Sequence, residues 1–334
     1  MPGSLPPKRL ILKVALPVPM DAQFDYLPPP EVPAERLVPG IRLEVPFGRQ
    51  RKTGLLLSLA ERSDLPLEKL RPALRILDEG PLLSPRDIEL LQWASRYYHH
   101  PIGDTVFTAL SSALRSGKPL LKRTIRKLFA VPQEIADTPP PRGPRQKTLL
   151  TLLNECPGGL GFEAIRQEQL GATARSLVEK GLAEWRVQEE EASPVTTSDA
   201  KTPSHPLNPA QENALNRLSA TLGSFSVNLL YGVTGSGKTE VYLRLVEDVL
   251  ARGQQSLVLL PEINLTPQLE TRFRDRLATE IRILHSSLSE TERLHAWTAF
   301  QKGECRVLLG TRSALFTPAP RLGLIILDEE HDAS

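Results

Sequence analysis

The eight residues Gly232-Val-Thr-Gly-Ser-Gly-Lys238-Thr239 fit the pattern G-x-x-x-x-G-K-[ST] without a mismatch. The chemistry that such a run offers is phosphate binding. Gly232, Gly235 and Gly237 let the backbone turn its N–H groups into one concavity, to which Val233, Thr234 and Ser236 add further amides. Lys238 would reach the β and γ phosphates of a nucleotide, and the Thr239 hydroxyl would ligate Mg²⁺. Far downstream, the apolar run Leu324–Leu327 ends in Asp328-Glu329-Glu330-His331. Asp328 is a candidate for holding Mg²⁺, Glu329 for polarising an attacking water, and His331 is a further catalytic candidate. A Gly-rich turn and an acidic strand end each have ordinary structural explanations. Paired, they point to ATP and Mg²⁺ as cofactors.

These residues need elements that bring them to one edge. Phe225–Tyr231 reads as a strand entering the loop, and Gly237–Ala251 as a helix with Val241, Leu245 and Val249 on one stripe. Strands at Ser256–Leu260, Ile281–Leu284, Arg306–Leu309 and Leu322–Leu327 alternate with helices starting at Thr266 and Ser289. Continuous apolar strands alternating with helices indicate a parallel sheet covered on both faces, which delivers strand tips and phosphate loop to the same edge.

The preceding chain has a different texture. Leu10–Leu16, Ile41–Pro46 and Thr53–Leu59 read as strands of a small β-rich domain, and Ser84-Pro85 opens a helix running to about Tyr98. Proline is abundant, with 31 in 334 residues, and concentrates in two polar stretches, 132–147 and 188–207. Between them Gln146–Asn154, Phe162–Gln169 and Ala172–Lys180 read as short helices and Leu182–Val187 as a strand, the pattern of a winged-helix module. The expected architecture is therefore a multidomain α/β chain: a β-rich domain over 1–112, a winged-helix-like domain over 113–187, a linker over 188–206, and a P-loop lobe over 207–334.

The net charge of +2 hides an asymmetry: +7 over residues 1–133, −3 over 134–206 and −2 over 207–334. A basic front end suits a polyanion. Arg115–Lys127 carries six basic residues and no acidic one; lying along duplex phosphates and forming a solvated face are equally compatible with it. The adjacent His99 and His100 read as packing or surface residues rather than metal ligands. Two cysteines, Cys156 and Cys305, make neither a disulfide framework nor a zinc site and suit a reducing, cytoplasmic compartment. No apolar run is long enough for a membrane span, and the first one, broken by Lys13, Pro17 and Pro19, is no signal peptide.

A nucleotide site of this kind also fits small-molecule kinases. The segments between the two motifs narrow the choice. Leu260-Pro-Glu-Ile-Asn-Leu-Thr-Pro-Gln268, His285-Ser286 and Gly310-Thr311-Arg312-Ser-Ala-Leu-Phe316 resemble the DNA-tracking motifs Ia and Ib of superfamily 2 helicases, and Leu207-Asn-Pro-Ala-Gln211 resembles their adenine-contacting glutamine segment. Asn264 stands where glycine is more usual. With Val14-Ala-Leu-Pro-Val-Pro19, Phe24-Asp25-Tyr26, Val45-Pro-Phe-Gly48 and Tyr97-Tyr-His-His-Pro-Ile-Gly-Asp104, the whole chain resembles the replication-restart helicases of the PriA (primosomal protein N′) family.

The resemblance implies an ATP-dependent 3′→5′ DNA helicase that recognises stalled or abandoned forks. Its first domain would hold the 3′ end of a nascent strand with Phe24, Asp25, Tyr26, Gly48 and Arg71, the last where lysine is usual, and its motif Ib would contact single-stranded DNA through Thr311 and Arg312. Phe24 and Tyr26 are equally readable as ordinary core. Other primosome proteins and single-stranded-DNA-binding protein are the implied partners. Zn²⁺ is implied by the family, but its ligands are not in this sequence, nor is a second RecA-like lobe. The chain therefore reads as the first part of a longer enzyme, its own lobe incomplete, which binds fork DNA and at most ATP. A non-catalytic DNA-end-binding fragment and another P-loop ATPase or translocase are the alternatives.

Overall fold

The computed structural model describes residues 10–120, 124–131, 143–161, 165, 170–189, 206–233, 235–261, 267–277 and 279–329. It divides into two compact units, one formed by residues 1–121 with 194–334 and the other by 122–193.

The first unit begins with five antiparallel strands: β1 (Ile11–Ala15), β2 (Phe24–Tyr26), β3 (Arg42–Phe47), β4 (Gln50–Ala60) and β5 (Arg75–Ile76), in the order β2-β1-β4-β3-β5. Alternation along these strands sends Leu12, Val14, Leu43, Val45 and Leu56 into one buried cluster with Tyr26. Ala15, Leu55 and Leu57 join a second cluster with the helices that follow. A register shift between Lys13 and Val14 marks a bulge in β1. Phe47 and Gln50 pair across a two-residue turn, and Gly48 takes φ +60° there, the region in which glycine leads a hairpin turn.

Three helices cover the sheet: α1 (Pro85–Tyr98), α2 (Ile102–Thr108) and α3 (Ser112–Arg115). Ser84 caps α1 as expected, exchanging bonds with Asp87 in a capping box over Pro85. Gly103 in α2 has no alternative residue, because a Cβ there would lie 1.6 Å from the Leu16 carbonyl oxygen. Fully buried Arg42 ties sheet to helices. Its guanidinium bonds both oxygens of Asp78 and donates to the carbonyls of Leu114 and Lys118, at the end of α3.

After α6 (Pro209–Ser219) and α7 (Lys238–Ala251) come β9 (Gln255–Leu259), α8 (Pro267–Arg276), β10 (Ile281–Leu284), α9 (Glu290–Gln301), β11 (Val307–Gly310) and β12 (Leu322–Leu327). The four strands form a parallel sheet in the order β10-β11-β9-β12, as the alternating texture predicts. Ser289 caps α9 with Glu292 and Asn208 caps α6 with Gln211, each reciprocally. Leu294 and Trp297 of α9 pack into the cluster built by α1–α3, and Trp297 Nε1 donates to the Ala109 carbonyl at 2.7 Å. The β-rich part and the parallel sheet thus share one core.

One expected element is absent. Phe225–Tyr231 is not a strand: it has no sheet partner among the described residues, with Phe225 96% and Tyr231 91% exposed. A strand exists only through its ladder, and here β12 is the edge of the described sheet. The alternation Phe225, Val227, Leu229, Tyr231 is β-like, yet nothing pairs with it.

The second unit holds β6 (Thr124–Ala130), α4 (Pro144–Glu155), β7 (Leu160–Gly161), α5 (Gly171–Glu179) and β8 (Ala183–Glu189), with an antiparallel sheet in the order β7-β6-β8. Leu149, Leu153, Leu177 and Leu128 form its core. Part of the basic run Arg115–Lys127 therefore lies on β6. The helix expected over Phe162–Gln169 falls, except for Ile165, outside the described residues.

Candidate nucleotide and DNA-end sites

The phosphate loop opens α7. Gly237 is the residue before the helix, at φ +83°, and Gly235 takes φ +80°; both conformations favour glycine. At Gly237 a second constraint applies, since a Cβ would stand 2.3 Å from the Gln211 side-chain nitrogen. Lys238 folds back on the loop, its ammonium donating to the carbonyls of Gly232 at 2.7 Å and Val233 at 3.3 Å. An ammonium satisfied by local carbonyls can exchange them for phosphate oxygens at little desolvation cost. Ser236 N–H donates to Val233 O, closing the turn. Thr234 lies outside the described residues.

Opposite the loop stands the end of β12. The Asp328 amide still donates to Leu259 O, so the carboxylate leaves from the last rung of the ladder. The Tyr242 hydroxyl, one turn into α7 from Thr239, donates to Asp328 Oδ1 at 3.1 Å. This bond joins loop helix and acidic strand tip at one edge. Burial, and then the neighbouring carboxylate, push the Tyr242 hydroxyl well above its ordinary pKa, so it stays a donor. Glu329 follows with φ +51°, a left-handed conformation that costs a non-glycine residue about 1–3 kcal/mol and recurs at functional sites. His331 lies outside the described residues.

The residues present fit the groups the motif implies. A hydroxyl from Thr239 and a carboxylate from Asp328 are hard oxygen donors, and Mg²⁺ is held by few protein oxygens together with phosphates and water. No cluster of three or more His, Cys, Asp or Glu occurs among the described residues. Zinc does not fit: the chain has two cysteines, one in each unit.

Gln211 is engaged otherwise than an adenine contact requires. Its Oε1 accepts from Asn208 N–H and its Nε2 donates to the Ser236 carbonyl at 3.1 Å, so both ends of the amide are on protein backbone. Base recognition at this residue means releasing those bonds. Tyr242 and Gln211's link to the loop are the features that motif reading missed; Tyr242 has no signal beyond its place three residues after Thr239.

In the β-rich part, β2 carries Phe24, Asp25 and Tyr26, and alternation separates them. Phe24 and Tyr26 face the sheet interior. Phe24 packs edge-on against Phe47, with ring centroids 5.3 Å apart. Tyr26 is buried, and its hydroxyl donates to Pro46 O at 2.9 Å. The core explanation left open by the sequence describes Tyr26 in this structure. Asp25 leaves from the opposite face and accepts from Lys13 Nζ at 2.8 Å. Arg71 reaches the end of the sheet through main-chain bonding between its carbonyl and Leu27 N–H, and its guanidinium is 3.4 Å from Gly48 O. Asp25 and the two aromatic rings thus lie on opposite faces of a three-residue edge strand.

At the tip of β11, Thr311 N–H donates to Leu284 O, and the Thr311 hydroxyl bonds the Ser313 hydroxyl at 2.9 Å. Arg312 is exposed at the start of the 3₁₀ turn Arg312–Phe316. Asn264 lies outside the described residues. No helix among the described residues is long and apolar enough to cross a membrane.

Comparison with known proteins finds matches over the two stretches that carry these residues. Residues 13–111 match the 3′ DNA-binding domain model of PriA, and residues 208–334 match the DEAD/DEAH box helicase model. The replication restart protein PriA of Haemophilus influenzae is 38% identical over 97% of this chain and 44% of its own length. That of Bacillus subtilis is 29% identical over 94% of this chain and 48% of its own. That of Treponema pallidum is 45% identical over 40% of this chain and 20% of its own. The chain thus spans about half the length of the first two. Over the span it shares with them, the chain belongs to the replication restart protein PriA family.

Proposed function

We propose that this chain carries the DNA-end recognition and nucleotide-phosphate parts of an ATP-dependent 3′→5′ DNA helicase that restarts replication at stalled or abandoned forks. The observation that carries the reading is the Tyr242–Asp328 hydrogen bond, which sets the phosphate-loop helix and the acidic strand tip at one edge. Bound Mg²⁺ would supply charge neutralisation between the β and γ phosphates. Loop amides and Lys238 would orient the triphosphate, Thr239 and Asp328 would hold the metal, and Glu329 would accept a proton from the attacking water. Gln211, released from Ser236, would turn to the adenine. The incomplete RecA-like character of the lobe is supported by its four parallel strands, and the winged-helix-like reading of the second unit by two helices with a three-stranded antiparallel sheet.

The DNA partner is a fork with a nascent 3′ end and its single strand. Asp25 would accept the 3′-hydroxyl, Phe24, Gly48 and Arg71 would lie against the terminal nucleotide, Tyr26 would hold β2 in place, and Thr311 and Arg312 would track phosphates. Other primosome proteins and single-stranded-DNA-binding protein follow from family membership alone.

The test is nucleotide binding and turnover. With a fluorescent ATP analogue and Mg²⁺, Lys238→Ala should abolish binding to this chain. In a longer protein carrying the chain, both Lys238→Ala and Glu329→Gln should remove DNA-stimulated hydrolysis, by about a hundredfold or more. Wild-type turnover in either variant would refute the assignment of the phosphate site.

A further inference from the structure

Asp25 does not face solvent as an isolated carboxylate. Lys13 and Asp25 are register partners across β1 and β2, and the ammonium meets Asp25 Oδ2 at 2.8 Å. Their side chains are 22% and 9% exposed, so the pair is half-sunk but open on one side. The bulge between Lys13 and Val14 lies at this position, and bulges re-aim side chains beside functional sites. Among the described residues, Asp25 Oδ1 accepts no hydrogen bond and Lys13 Nζ has no second partner, which leaves one carboxylate oxygen and two ammonium N–H groups for a ligand.

We propose that Lys13 is a specificity-determining residue for DNA ends: its ammonium binds the last phosphodiester of the strand while the carboxylate it holds takes the terminal 3′-hydroxyl at Oδ1. The inference rests on the reading that Asp25 lies at the 3′-end site. A terminal nucleotide brings a hydroxyl donor and, one linkage back, a phosphate monoanion, and the oriented pair presents an acceptor and a cation side by side. A 3′-phosphate replaces the donor with a group carrying about −1.5 to −2 charge, which meets Oδ1 as a like charge. Lys13 contributes in two ways. It neutralises Asp25 enough for DNA to approach, and it adds one charge-assisted bond to phosphate. Arg71, its guanidinium 3.4 Å from Gly48 O, is a second cation in the same sheet region.

The experiment is fluorescence anisotropy of the chain with short single strands ending in 3′-hydroxyl or 3′-phosphate, over a salt series. The variants are Lys13→Met, Lys13→Arg and Asp25→Asn, each checked for an unchanged far-ultraviolet spectrum and melting temperature. Lys13→Met should weaken 3′-hydroxyl DNA about tenfold or more and reduce the slope of log affinity on log salt by about 0.7, one phosphate contact on a single strand. Lys13→Arg should restore the slope. Should Lys13→Met unfold the domain, Lys13→Gln, which keeps a neutral donor for Asp25, is read by the same slope. If Asp25→Asn erases the preference for 3′-hydroxyl while the Lys13 variants leave affinity and slope unchanged, Lys13 is only a structural neighbour and the inference fails alone. If Asp25→Asn leaves the preference intact, the end-binding reading at Asp25 fails and takes this inference with it.

Discussion

Lys238 and Gln211 both spend their polar atoms on the phosphate loop itself, the one on the carbonyls of Gly232 and Val233, the other on the carbonyl of Ser236. Each is a residue of the proposed nucleotide site, and each is bonded locally in this structure. Lys238 was singled out by motif spacing and Gln211 by resemblance; their engagement was not legible, because a hydrogen bond between residues 25 apart depends on where α6 docks. Cys305 makes the same point about burial. It is enclosed, its thiol donates to the Val307 carbonyl at 3.0 Å, and burial pushes it up to about 12 from an ordinary 9.0. The folded value lies above the unfolded one. The stability Cys305 contributes is therefore complete below pH 9 and is lost as pH rises through about 12. Native protein should leave Cys305 unalkylated by iodoacetamide at about pH 8, and denatured protein should react there, as peptide mass mapping will read.

At the scale of elements, caps and alternating apolar runs were legible because their causes are local. Ser84, Asn208 and Ser289 each start a helix with a reciprocal partner three residues on. The strand expected at Phe225–Tyr231 shows the limit. Its alternation is as regular as that of Leu43, Val45 and Phe47 in β3, but a ladder needs a neighbour, and propensity cannot supply one. β2 was legible only as candidate pocket residues, since three residues are too few for a period. Helix α9 belongs by sequence to the parallel sheet yet buries Leu294 and Trp297 among α1–α3. Trp297→Ala should destabilise the chain by about 3–5 kcal/mol, with one cooperative transition lost for both parts of the unit in denaturant unfolding. Trp297→Phe, which keeps an aromatic side chain of smaller size but loses the bond to Ala109 O, should cost about 1 kcal/mol more than packing loss alone. Independent melting of the two parts in wild type would refute the shared core.

For the whole molecule, the buried Arg42–Asp78 pair is the long-range tie. It links β3 to the segment after β5 and, through Leu114 O and Lys118 O, to the end of α3. Asp78→Ala should cost about 3–5 kcal/mol because it strands a buried guanidinium, whereas Arg42→Met with Asp78→Leu should cost much less. A double-mutant cycle by urea titration gives the coupling, and additive losses would overturn it. Sequence alone made the phosphate-loop motif and the parallel sheet legible, because spacing, periodicity and capping act over a few residues, and the resemblance of its motifs pointed to the family. Only the tertiary structure decided that Tyr242 steadies Asp328, that Asp25 stands paired with Lys13, that Tyr26 is core, and that Phe225–Tyr231 lacks a ladder. Each of these is a meeting of segments distant in the chain, governed by packing and by which polar groups remain to be satisfied once the core has closed.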